Sequence, residues 1–179
     1  MQNIKKVNEV IDLKKNSIKK LVNKKIIGET TVNENTIIKK SISKDSKLEY
    51  IIGDTYFIQG VQYVPEENYS YNKVGLATFY NSELHNKKTI NNDYNKVTEL
   101  LARHKTLPIP SVVKVTNLEN GLSITLKIND RHDDNSSIIQ VSRKSAQLLK
   151  FYKNKITKVR VEILSDPSKQ MKNVTKSMS

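Results

Sequence analysis

The sequence predicts a mainly β domain, a small mixed barrel with short helices between its strands. Three observations carry that prediction. Leu122, Ile124, Leu126 and Ile128 alternate with Ser123, Thr125, Lys127 and Asn129, the period-two pattern of a half-buried strand. Ile156-Thr157-Lys158-Val159-Arg160-Val161-Glu162-Ile163 alternates in the same way. Asn120-Gly121 joins the first of these to Val112, Val113 and Val115, and this dipeptide accepts the positive φ of a type I′ turn, so residues 112–128 form a β-hairpin.

The elements follow in order. Ile4, Val7, Ile11, Ile18 and Leu21 recur at helical spacing among lysine pairs, which predicts a basic amphipathic helix, and the polar residues 29–46 form its linker. Tyr50-Ile51-Ile52 and Thr55-Tyr56-Phe57-Ile58 are strand-like runs broken at Gly53-Asp54, and Gln59-Gly60 turns the chain into Val61–Val64. Gly75 to Tyr80 starts a further strand. The Asn-rich stretch from Asn81 to Asn95 is a loop. Val97 to Ala102 is expected as a short helix, before Pro108 and Pro110 force an extended path. Ile138–Val141 is a strand, Ser142 caps a helix through Leu149, and 165–179 is a frayed tail. The expected division is therefore a basic extension and linker (1–46), a β-hairpin lead-in (47–71), a barrel (72–164) and a disordered tail (165–179).

Composition narrows the function classes. The net charge is +13, from 31 Lys and Arg against 18 Asp and Glu, but lysines are scattered and the four arginines do not cluster in sequence. No aromatic-basic interleaving suited to single strands accompanies them, so no nucleic-acid partner is expected. The absence of cysteine excludes disulfides and thiolate metal sites. No run of about 18 apolar residues is present to span a membrane. No apolar segment follows the basic N-terminus, so no signal peptide is expected, nor is there a cysteine to lipidate. The oligomeric state is left open.

One carboxylate stands out. Continuing the parity of Leu122–Ile128 by one step puts Asp130 on the apolar side of its strand. It is either a structural Asp hydrogen-bonded to the turn that follows or a working acid at the edge of a core. His104 precedes a proline-fixed loop and can orient a carboxylate or contact a ligand. His85, His104 and His132 lack a spaced pair on one element, so neither a metal nor any other cofactor is expected.

Several segments together resemble a known family: Gly75-Leu-Ala-Thr-Phe-Tyr80, His85…Lys88-Thr89, His104-Lys-Thr-Leu-Pro-Ile-Pro-Ser111, Val115-Thr-Asn-Leu-Glu-Asn-Gly121 and Asn129-Asp-Arg131. They are similar to the rare lipoprotein A (RlpA) family, over about Tyr56 to Ile163. That resemblance implies a six-stranded double-psi β-barrel of the barwin and expansin type. It also implies an enzyme of the periplasm or cell envelope, with peptidoglycan glycan strands as partner. The implied reaction is non-hydrolytic cleavage of strands lacking stem peptides, leaving a 1,6-anhydro-muramic acid end. The family's acidic loop residue, His and Asp correspond to Asp93, His104 and Asp130. Thr89, Asn129 and Arg131 fall on the flanking motifs as substrate contacts. Tyr80 and Tyr94 are candidates to stack on sugar faces.

The chemistry needs one carboxyl group. It protonates the glycosidic oxygen and, once ionised, accepts the proton of the sugar's own C6 hydroxyl as that attacks the anomeric carbon. No second carboxylate is needed to activate water. Burial and a neighbouring Asp93 are expected to favour the protonated form of Asp130, with Arg131 opposing if it points inward. The chain departs from the family pattern at several places, including the loss of loop glycines near Asn81 and Asn86 and a one-residue shortening after Arg131. Asn92-Asp93 replaces a Gly-Glu pair, Gln140 replaces an Asp, and His132-Asp133-Asp134 replaces Gly-Pro-Phe. The altered Asp93 loop and the changed segment after Arg131 motivate an alternative, a non-catalytic peptidoglycan-binding or wall-loosening module like the expansins.

Overall fold

The computed structural model describes residues 47–179. The basic helix expected in 1–46 and its linker lie outside the described residues. The described elements are β1 (Tyr56–Ile58), β2 (Val61–Tyr63), β3 (Asn72–Tyr80), β4 (Leu101–His104), β5 (Ser111–Asn117), β6 (Ser123–Asp130), β7 (Ile139–Ser142), α1 (Arg143–Leu148), β8 (Thr157–Ile163) and α2 (Ser165–Met178). β1 and β2 form an antiparallel hairpin, and the other six strands close into a barrel in the order β3-β7-β4-β6-β5-β8. The β3–β7 and β4–β6 pairs are parallel and the remaining four antiparallel. Closure removes the unpaired sheet edges that an open array of short strands would expose.

The alternating strands fill the barrel. Leu126 and Ile128 from β6, Val113 and Val115 from β5, and Val159 and Val161 from β8 are at most 1 % exposed. Each such side chain contributes about 1.5–3 kcal/mol of transfer free energy. Opposite residues stay outside: Lys114, Thr125, Lys158 and Arg160 are exposed. Ser142 caps α1 as expected, its Oγ accepting from Ser145 N at 3.2 Å.

Four local expectations are corrected. Val97 to Ala102 is not a helix; Leu101 and Ala102 enter β4, which lies between β6 and β7 and is buried along its whole length. Pairing on both edges outweighs the weak helical preference of so short a segment. Tyr50-Ile51-Ile52 forms a single bridge, Ile51 to Ile109, rather than a strand. The β5–β6 turn is longer than a two-residue type I′ loop: only Gly121 has positive φ (+76°), and Asn117 Oδ1 accepts from Glu119 N to start the reversal. Residues 165–179, expected to fray, form α2. Ser168 anchors it by accepting from Val112 N (2.9 Å) and donating to Val112 O (3.1 Å), and Pro167 sits in the first turn, where it is tolerated. These anchors are polar, so no apolar periodicity announces the helix. Among the described residues no helix is long and apolar enough to cross a membrane.

Candidate active site

Asp130 ends β6 beside an irregularity. Leu101 pairs with Lys127 and Ala102 with Ile128, but Arg103 pairs with Asp130, so Asn129 is the extra residue of a β-bulge. The alternation that fills the core therefore stops at Ile128. Asn129 is fully buried, its Nδ2 donating to Tyr94 O at 3.2 Å, whereas the Asp130 side chain keeps 13 % exposure. Simple parity would have sent this carboxylate into the barrel. The bulge turns it to the rim.

The loop before β4 folds over it. Thr89 N donates to Asp93 O (2.8 Å) and Asn92 N to Thr89 O (3.2 Å), closing a tight turn in which Asn92 has φ +67°. Asn is among the few non-glycine residues that tolerate this region, so it replaces glycine here with the turn intact. Asn92 Nδ2 also donates to Lys47 O and Glu49 Oε1, tying the loop to the lead-in. From this loop Ile90 N reaches Asp130 Oδ1 at 3.2 Å and Asn95 Nδ2 reaches Oδ2 at 2.8 Å. Arg131 N adds a bond to Oδ1 at 2.9 Å, and Arg103 Nε lies 3.4 Å from Oδ2 as an ion-pair contact. Asp130 thus gathers donors from β4, its own strand end and the loop.

The other expected residues are placed differently. Asp93 is in the loop, but its carboxylate takes Lys127 Nζ at 2.7 Å and Tyr94 N at 2.8 Å instead of facing Asp130. His104 neighbours Arg103 on β4, so its ring points to the opposite face. Its Nδ1 accepts from Thr106 N and Leu107 N, both at 3.1 Å, which puts the proton on Nε2, and Tyr71 packs edge-on at 4.9 Å. Burial, reinforced by the charges of Arg131, His132 and Lys105, pushes the His104 pKa down to about 3. It holds the start of the proline loop as a neutral ring. It also helps line a cleft of about 290 Å³, with Tyr63, Tyr71, Lys105 and Ser137, in which Asp130 takes no part.

Arg131 is a clamp: its guanidinium donates to Leu107 O and Ile52 O, fastening proline loop and lead-in together. Tyr80 is fully buried, which rules out stacking on a sugar. Burial raises its hydroxyl pKa, with Arg103 opposing and Asp130 adding to the rise. Thr89 is 6 % exposed and donates to Asn91 Oδ1 at 2.7 Å. So Thr89, Asn129, Tyr80 and Arg131 build the site's walls. Ile90 and Tyr94, whose backbones are bonded to Asp130 and Asn129, are 49 % and 42 % exposed.

Two residues at the site carried no sequence signal. Arg103 links Asp130 to Gln140, donating Nη1 to Gln140 Oε1 at 2.7 Å, and lies 3.4 Å from Asp133. Asn95 looked like one more polar loop residue, yet it is 1 % exposed. Several buried polar atoms around the carboxylate have no protein partner: Tyr80 Oη, Asn95 Oδ1 and Asn129 Oδ1. Such orphaned groups are unusual in a purely structural corner and typical of one that meets solvent or ligand.

A closed six-stranded barrel of mixed strands, with a polar loop folded over a strand-end carboxylate, defines the class: a double-psi β-barrel. The chain belongs to the family described as lytic transglycolase, which matches residues 72–161, the barrel from β3 into β8. It is 41 % identical over 133 residues to a Rickettsia felis protein named endolytic peptidoglycan transglycosylase RlpA, covering 72 % of this chain and 58 % of that protein. A Rickettsia bellii protein of the same name is 40 % identical over 130 residues, covering 70 % and 57 %. One from Neisseria meningitidis serogroup B is 34 % identical over 123 residues, covering 68 % and 52 %. The chain spans a little over half the length of these relatives.

Proposed function

We propose that this protein is a peptidoglycan lytic transglycosylase of the cell envelope, cutting naked glycan strands endolytically, with Asp130 as its acid and base. The observation that carries the reading is the Asp130 carboxyl at the barrel rim under the loop of Ile90 and Asn95. Protonated Asp130 gives its proton to the oxygen leaving the muramic acid anomeric carbon. The C6 hydroxyl of the same sugar then forms the new bond to that carbon, and its proton returns to the carboxylate. One C–O bond breaks, one forms, and water is not consumed. The N–H groups of Ile90 and Arg131, the Asn95 amide and the Arg103 guanidinium fix the position of this carboxyl at the rim, so the group that gives and takes the proton is held in one place. Tyr94, exposed at the rim with its carbonyl held by Asn129, offers a ring face to a sugar.

Incubation with denuded peptidoglycan and mass spectrometry of the soluble products tests this. Wild-type protein releases 1,6-anhydro ends and Asp130→Asn does not. Absence of such ends with wild type sinks the proposal. A second reading, a non-catalytic glycan-binding module, is favoured by one observation: the Asp93 carboxylate is bonded to Lys127 and is not turned toward Asp130. That reading predicts retention on insoluble peptidoglycan, unchanged in Asp130→Asn, with no product from either protein.

A further inference from the structure

Beyond the loop that covers Asp130 lies a second polar face. Two adjoining clefts of about 370 and 390 Å³ share Gln147 and Tyr152. Their cations are Arg143 and Lys144 in one and Lys150 and Lys153 in the other, and no acidic residue lines either. The nearby Glu99 is paired with Lys96 at 3.5 Å. The charge is concentrated here: from Arg143 to Arg160 the sequence has seven basic residues and no acid. Tyr152 is 37 % exposed, and its ring lies 4.9 Å from that of Phe79, which packs on the buried Phe151 at 6.1 Å. The Tyr152 ring is therefore backed by a barrel strand and presents a fixed face. Lys150 follows α1 with φ +57°, a position where glycine or asparagine is the usual occupant.

These parts match one ligand chemistry. A pyranose ring lays its C–H face on an aromatic ring, and a carboxylate is met by Arg and Lys side chains. A sugar chain bearing carboxylates uses both, whereas a neutral glycan would leave the four cations without a role. The position fits as well. Val97 lines the first cleft, is two residues past Asn95, and accepts Lys144 N at 2.9 Å through its carbonyl. Arg143 is three residues along from Gln140, the partner of Arg103, or roughly 10 Å of extended chain. A glycan strand lying across the Asp130 rim and along this loop enters the clefts.

We propose that the Tyr152 clefts form an anionic-sugar subsite, distinct from the Asp130 site, that grips the lactyl carboxylates exposed on muramic acid when stem peptides are removed. This rests on the reading of naked glycan as substrate and makes charge the basis of that preference.

The test measures binding apart from cleavage, with the full chain at low temperature and with Asp130→Asn alongside. The probes are soluble denuded glycan strands with free carboxylates and the same strands with carboxylates converted to methyl amides. Wild type binds the free-acid strands about tenfold more tightly than the amidated ones. The double variant Lys150→Gln/Lys153→Gln, altering only exposed side chains, narrows that ratio to about threefold or less. Tyr152→Ala weakens both in parallel. Equal binding of the two probes by wild type overturns the proposal, as does a ratio unchanged in the double variant. Single-stranded DNA of matched length is the polyanion control, and wild-type binding to it as tight as to free-acid strands also overturns the assignment. Failure of the transglycosylase reading is separate: wild type then yields no 1,6-anhydro ends, whatever the binding ratio.

Discussion

Replacing Asp130 by Asn separates the fold of this site from its chemistry, and its cost can be worked out atom by atom. The amide oxygen in the place of Oδ1 keeps the N–H groups of Ile90 (3.2 Å) and Arg131 (2.9 Å). The NH2 in the place of Oδ2 meets Asn95 Nδ2, now 2.8 Å from the carboxylate, as donor against donor. Asn95 has the remedy, because its Oδ1 is buried without a partner, and rotating its amide turns a clash into a hydrogen bond. What is lost is the charge facing Arg103, whose Nε is 3.4 Å away and which keeps Gln140 at 2.7 Å. A hydrogen bond to a charged group is worth about 1.5–3 kcal/mol. This contact is long, so the expected destabilisation is about 1–2 kcal/mol. At about 4 °C per kcal/mol for a domain of this size, Tm falls by about 4–8 °C. The fold survives, while loss of a proton donor and acceptor lowers the rate by about 10²–10⁴ or more. Thermal unfolding followed by circular dichroism gives the first quantity, and mass spectrometry of anhydro-ended products over time gives the second. A variant cleaving within about tenfold of wild type refutes the assignment of Asp130. A loss above about 4 kcal/mol refutes the Asn95 rotation, since it matches an unrelieved buried charge or donor.

Three further outcomes follow from the same contacts. Burial lowers the His104 pKa to about 3 and the His132 pKa to about 4, so between there and the free value of 6.5 only the unfolded chain takes up these protons. Stability is therefore flat above pH 6.5 from these groups and falls below it, by roughly 2 kcal/mol for each histidine at pH 5; urea unfolding at pH 7 and 5 measures it, and His104→Gln reduces the slope. Arg131→Lys leaves one ammonium where a fork bridged Leu107 O and Ile52 O, so about 2–4 kcal/mol is lost in urea unfolding. Gly75→Ala places a Cβ 2.6 Å from Ile138 Cγ2, next to β7, and costs about 1–3 kcal/mol by thermal unfolding, whereas Gly121→Ala meets no neighbour and is strained only through its φ of +76°.

The strands that fill the barrel were legible because burying one face forces alternation: β6 and β8 declare themselves residue by residue. Ser142 was legible too, since a cap acts over three residues. β4 was not, because both of its faces are buried and Leu101-Ala102 carries no alternation. The helix α2 was missed because its anchor is one serine bonded to Val112, fifty-six residues away. The site divides along the same line. Asp130 attracted notice by parity, but its partners Asn95, Ile90 and Arg103 come from segments that nothing local connects to it.

By itself, then, the sequence determined five of the six barrel strands, the β5–β6 hairpin and the family resemblance, all of which depend on side chains close together along the chain. The direction of Asp130 was decided only in the folded barrel. A single bulged residue, Asn129, breaks the parity of β6, and pairing of β6 with β4 brings Arg103 opposite the carboxylate. Alternation along β4 turns His104, the next residue, to the other face, where burial keeps it neutral and bonded to its own loop. Bulges and strand neighbours are set by long-range closure, and their effect on where a carboxylate points leaves no trace in the local pattern of residues.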